Sequence, residues 1–174
     1  KILIGGDFTT YNGTSVSRLA RLNPSGGLDS AFNSGGSGAG SAVTALVSQP
    51  DGKIVIGGFV SSYNNVTRNG VARLNADGTL DTAFVPPSFI SIYSLLVQED
   101  SKIIVRGNFT SAGGAANTAF LARLNTDGSR DTSFAAGGFA RLSVYPATIA
   151  MRDNGQLDFS SDGNVDGTAT QPAS

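Results

Sequence analysis

Three Arg–Asp couples stand out among the residues able to do chemistry. Arg21 precedes Asp29, Arg73 precedes Asp81 and Arg123 precedes Asp131, each by eight residues with a Gly-containing turn between. Such a turn folds one strand against the next and brings guanidinium and carboxylate within bidentate reach. The couples could form a ring of ligand-binding charges or ion pairs inside a repeated unit. A residue that recurs in every unit usually serves the unit, whereas a binding site draws different residues from different units, so the structural role is expected. A second constellation lies in DFSSDGNVDG at 158–167. Asp158, Ser160 and Asp162 put oxygen donors at alternate positions, Gly163 supplies a sharp turn, and Asp166 falls at the ninth position of an EF-hand-type loop. The twelfth position is Ala169 where a bidentate Glu would be needed, so calcium would be held weakly, and ordinary Asp-Gly turn chemistry explains the same residues.

Other chemistry is bounded by absences. The sequence has no His and no Cys, which removes Ser-His-Asp and Cys-His nucleophiles, thiolate and imidazole metal sites, and disulfides. Its single glutamate, Glu99, stands beside Asp100, and neighbours at a strand end point apart, so no carboxylate pair for glycoside hydrolysis is expected. A net charge of −1 with dispersed basic residues argues against nucleic acid, and the apolar runs are far shorter than the roughly 20 residues of a membrane helix. No cofactor is expected beyond the weak calcium loop.

The elements that position these residues repeat. KILIGGDF at 1–8, KIVIGGF at 53–59 and KIIVRGNF at 102–109 align, and ARLN recurs at 20–23, 72–75 and 122–125. GLDSAF, TLDTAF and SRDTSF follow in phase at 27–32, 79–84 and 129–134, giving units of about 50 residues. Inside a unit, AVTALVSQ at 42–49 alternates like a half-buried strand, PDG turns into KIVIGGF, a polar connection at 60–70 leads to VARLN, and ADG turns into a short fourth strand. The paired glycines at 5–6 and 57–58 mark a bulge or a close backbone approach, and Arg106-Gly107 keeps only the second Gly. The expected fold is therefore all-β: tandem four-stranded antiparallel blades of a partial β-propeller.

The order DGKIVIGGF followed by VARLNADGTLDTAF resembles the delta-60 repeat family of large bacterial proteins. That resemblance covers residues 1–134 and implies an exported propeller scaffold without transferable catalytic residues. The expected divisions are 1–32 as the second half of a first blade, 33–84 and 85–134 as blades, 135–160 as a degenerate further blade, and 161–174 as a tail. Closure needs at least four blades, so the remainder of a longer chain or neighbouring subunits is expected to complete the ring.

Phe32, Phe84 and Phe134, and likewise Phe8, Phe59 and Phe109, are expected in the core between blades. Tyr11 and Tyr63 hold matching loop positions and are candidates for surface contacts to a sugar or protein, or for packing their own loops. Low charge, 23 Gly and abundant Ser, Thr and Asn resemble secreted bacterial surface proteins. The expected role is a noncatalytic scaffold or adhesive module at the cell surface, recognising protein or glycan. A virion fibre and a carbohydrate-active propeller enzyme are the alternatives.

Overall fold

The computed structural model describes residues 1–109, 119–134, 139–140, 148–151, 157–160 and 168–169. All regular structure among them is β. The first unit contains β1 (Ile2–Gly5), the hairpin β2 (Thr10–Tyr11) and β3 (Thr14–Ser15), and β4 (Leu19–Leu22). The second contains β5 (Val43–Ser48), β6 (Ile54–Gly58), the hairpin β7 (Ser62–Tyr63) and β8 (Val66–Thr67), and β9 (Val71–Leu74). The third has β10 (Ser91–Val97), β11 (Ile103–Phe109), β12 (Ala119–Leu124) and β13 (Phe139–Ala140). Last come β14 (Thr148–Met151), β15 (Leu157–Ser160) and β16 (Thr168–Ala169).

Four antiparallel sheets follow the chain in order: β1-β4, β5-β6-β9, β10-β11-β12-β13 and β14-β15-β16. β16 pairs with β15 through Leu157 and Asp158, so residues 168–169, expected in the tail, add a strand to the last sheet. The polar connection expected at 60–70 folds into the small β7-β8 hairpin, as its counterpart folds into β2-β3.

The expected fourth strand is much shorter than a strand. It contributes one bridge per unit, Leu22 to Leu28, Leu74 to Leu80 and Leu124 to Arg130. The repeated Asp stops it. Asp81 Oδ1 accepts from the Ala83 N–H while its carbonyl accepts from Phe84 N–H, and Asp29 and Asp131 do the same with Ala31 and Phe32, and with Ser133 and Phe134. This Asx turn bends the chain back, and the Phe that ends the motif is carried by the turn. Among the described residues a longer partner, β13, is found only in the third unit, where it pairs with β12 through Ala140 to Leu121 and Phe139 to Ala122.

Strand alternation gives each middle sheet two buried faces. Ile54, Ile56, Ala72 and Leu74 pack with Leu19 and Phe32 of the first unit, while Val55, Val71 and Phe84 pack with Ile92, Ile103 and Val105 of the third. Ile104 and Leu121 then meet Ile149 and Leu157 of the last sheet. Burial on both faces is why these strands read as near-continuous apolar runs.

Two of the three repeated glycine positions sit at bulges. The β5-β6 register slips between Val43 and Ala45, opposite Gly57-Gly58, and the β10-β11 register slips between Ile92 and Ser94, opposite Arg106-Gly107. One expectation about the aromatics fails here. Phe59, placed in the core by its position, is 53% exposed, because the register slip opposite Gly57-Gly58 redirects the chain just before it, and its N–H bonds to the Ala42 carbonyl beside β5.

Candidate functional site

The repeated charges converge at the joints between blades. Arg73 Nε donates to Asp81 Oδ2 at 2.8 Å, and Lys53 Nζ donates to the same oxygen at 2.8 Å. The guanidinium lies over the Phe84 ring, 4.4 Å from its centroid, and its Nη1 donates to the Thr126 carbonyl of the next unit at 2.6 Å. The first unit repeats the arrangement. Arg21 Nε meets Asp29 Oδ2 at 2.7 Å beside Lys1, lies 4.7 Å over Phe32, and reaches the Ala76 carbonyl of the second unit. In the third unit, Arg123 Nε and Lys102 Nζ both meet Asp131 Oδ2 at 2.9 Å, with Phe134 5.0 Å under the guanidinium.

The expected bidentate fork is thus replaced by a divided one. Nε holds the Asp and Nη1 is spent on another group, the next blade's turn carbonyl in the first two units and Gln98 Oε1 at 3.5 Å in the third. The lysines are the partners that sequence reasoning missed. Their in-phase spacing, 28 residues from Lys1 to Asp29 and from Lys53 to Asp81, was the available signal.

Two cations on one carboxylate set its protonation. Hydrogen bonds from Lys1 and then Arg21 lower Asp29 to about 2. For Asp81, burial pushes upward, and the Lys53 and Arg73 hydrogen bonds outweigh it, leaving a net downward shift. Asp131 behaves alike, with Ser133 and Lys102 overcoming burial. These carboxylates stay ionised at neutral pH and are committed to ion pairs, so none is a proton donor or acceptor for catalysis.

The other residues singled out in the sequence have separate fates. Tyr63, a candidate for surface contact, is instead 1% exposed, with its hydroxyl donating to the Gly78 carbonyl at 2.7 Å. Burial pushes its phenol upward, with the Asp77 charge adding to the shift. A phenol with one apolar body and one carbonyl within reach is better satisfied inside the blade than in water. Tyr11, half-buried, makes the matching 2.7 Å bond to the Gly26 carbonyl. Of the calcium loop, Asp158 and Ser160 lie on β15 opposite Ala150 and Thr148, and Asp162 and Asp166 fall outside the described residues.

A cleft of about 390 Å³ opens beside β4. Leu19, Ala20 and Leu28 line it together with Ser17, Ser34 and Gly38. Its outer wall is the connection at 33–38, bent by left-handed backbone at Asn33 (φ 51°), Gly35 (φ 75°) and Gly38 (φ 72°). Asn33 and Asn64 exchange side-chain hydrogen bonds of 3.1 and 2.7 Å, which ties this wall to the β7-β8 hairpin. Sequence reasoning passed over NSGGSGAG. Its departure from the repeat was the signal.

Sheets stacked face to face, each joined to the next by an outer turn, are the blades of a β-propeller. The family described as "Domain of unknown function (DUF5122) beta-propeller" matches residues 1–32, 49–84 and 98–134, and the chain belongs to it. No curated protein matches the sequence. Among solved structures, the chain is similar to a streptogramin B lyase, at 17% identity and TM-score 0.50, over 82% of this chain and 40% of that one. It is also similar to virginiamycin B lyase from Staphylococcus aureus, at 17% identity and TM-score 0.43, over 75% of this chain and 42% of that one. This chain therefore spans about two fifths of those proteins, and the likeness is one of fold.

Proposed function

We propose that the chain is a noncatalytic stretch of β-propeller, of the delta-60 repeat type, serving as a scaffold or adhesive recognition module of an extracellular or surface-exposed protein. The observation that carries this reading is the use made of the repeated Lys, Arg, Asp and Phe, which join strand to turn and blade to blade. A catalytic centre needs charges free to change protonation or contact substrate, and these are held in fixed pairs. Blades tied in this way make a rigid frame on which loops of unrepeated sequence can meet a partner. The remainder of a longer chain, or neighbouring subunits, completes the ring, and the partner is a protein or glycan at the surface.

The test sets binding against turnover. The full-length protein, localised by surface fractionation and accessibility to added protease, is applied to glycan arrays and immobilised surface proteins and incubated with acidic and neutral polysaccharides. Surface exposure with saturable binding and unchanged polysaccharide chain length is expected. New reducing or unsaturated ends, lost on active-site substitution, would overturn the noncatalytic reading.

A further inference from the structure

The cleft beside β4 coincides with a sheet edge where Leu19 has no outward backbone partner among the described residues. The Ser17 carbonyl faces outward and accepts from the Ala39 N–H at 3.2 Å, and the Arg21 carbonyl faces outward and accepts from the Asp29 N–H at 2.8 Å. Arg18, between them in sequence, faces the other way, bonding to Gly6 and Phe8. Backbone groups alternate along an antiparallel strand, so the N–H and C=O of Leu19 point outward as well, into the cleft. The same position in the third unit is Leu121, and there the edge is taken: Leu121 pairs with Ala140 of β13.

The difference lies in the connection outside the edge. In the second unit the Val85 and Phe89 N–H groups bond to Asp127 and Asn69, with Pro86, Pro87 and Ser88 between them. In the first unit the equivalent anchors are the Asn33 and Ala39 N–H groups, bonded to Asp77 and Ser17, and the residues between are Ser34 through Gly38. Two more residues, with glycines at positive φ where the other unit has prolines, let the chain bow away from β4.

We propose that this slot binds an extended peptide segment of a partner protein, which adds to β4 as the outer strand of the first blade. Main-chain pairing to Leu19 supplies the affinity, as in other strand additions. Leu19, Ala20, Leu28 and the serines that line the slot, beside the Arg21–Asp29 pair, suit small uncharged side chains. A glycan is less well served, because the aromatic ring nearest the cleft, Phe32, is already covered by the Arg21 guanidinium. The proposal names the partner class for the recognition reading above and rests on that reading for the existence of a partner.

The probe is a synthetic peptide of residues 136–143, AGGFARLS, added to the whole chain and followed by NMR and amide exchange. Slowed exchange and shift changes at the Leu19 amide are expected. Methylating the peptide nitrogen at the position of Ala140 should weaken binding by about tenfold, since it removes one ladder hydrogen bond and adds a clash. Replacing residues 34–38 with Pro-Pro-Ser should close the slot and abolish the shifts; the methylated peptide supplies the same test without altering the protein. An unperturbed Leu19 amide, equal binding of the methylated peptide, or protection of Leu19 by neutral oligosaccharides alone would each overturn the proposal. Adhesion of the full-length protein that excess peptide does not compete away would remove the slot and leave the recognition reading standing, whereas peptide binding by a protein that adheres to nothing would do the reverse.

Discussion

Asp81 shows how one residue can be shared by three duties. Its Oδ2 takes Arg73 and Lys53, its Oδ1 takes the Ala83 N–H, and its carbonyl takes Phe84. The Arg–Asp spacing of eight was legible in the sequence because a turn of fixed length leaves few alternatives. The Lys was not, since 28 residues separate it from its partner and only the β6-β9 register brings them together. Arg73→Ala should destabilise the fold by about 3 kcal/mol, the low end for breaking a buried pair, because Lys53 still neutralises Asp81. Arg73→Lys should recover little of this, since an ammonium cannot hold Asp81 and the Thr126 carbonyl in two directions while lying flat on Phe84. Chemical denaturation of the three proteins checks both; a lysine variant as stable as the parent would reduce the guanidinium to a point charge. The pH dependence has a definite sign. Asp29, Asp81 and Asp131 have folded-state values below those of the unfolded chain, so their stabilisation is complete above about pH 4 and drains away as acid protonates them. The melting temperature should therefore fall as pH drops from about 4 towards 2, the value of Asp29, and more gently in Asp81→Asn.

At the scale of the strand, periodicity was read well and its interruptions less well. The β6 and β11 runs are apolar at consecutive positions because both faces meet a neighbouring blade, and their glycines were legible as bulges. What the bulge does to the next residue was not legible. One slipped register sends Phe59 to solvent, a result that depends on the partner strand and not on the local sequence. For Tyr63 the sequence left packing and surface contact both open, and the choice depends on a bond from its hairpin to the Gly78 carbonyl, 15 residues away. Gly107 offers the sharpest test at this scale. A Cβ there would lie 2.1 Å from the Ser91 carbonyl oxygen and 2.8 Å from Ile92 Cδ1, and the first of these is backbone that cannot swing aside. Gly107→Ala should cost about 1–3 kcal/mol by overpacking, and the amides of β10 should exchange faster than those of β5. A neutral substitution would mean that the bulge can shift to make room.

Across the whole molecule, Arg21 and Arg73 tie the first and second blades to the turn of the next. Asn33 and Val85 reinforce the tie through backbone bonds to Asp77 and Asp127. The blade order was legible because the first three units carry the same signals in phase. The cleft was not, because it arises where the first connection departs from the pattern and the second keeps to it. Repeat proteins gain stability from units and from the interfaces between neighbours, so the strength of those interfaces decides whether blades open singly or together. Here the first two joints combine an apolar core with a guanidinium and a backbone bond, which favours joint opening. Native-state exchange should find the β6 and β11 amides, such as those of Val55 and Val105, opening with one common free energy, while the exposed β8 strand exchanges well before them. Arg73→Ala cuts one tie at the joint between these sheets, so it should also separate their opening free energies, an effect that loss of stability inside a single blade would not produce. If β6 and β11 already open independently in the unaltered protein, the apolar contacts alone hold the blades side by side, and the repeated Arg acts within its own blade.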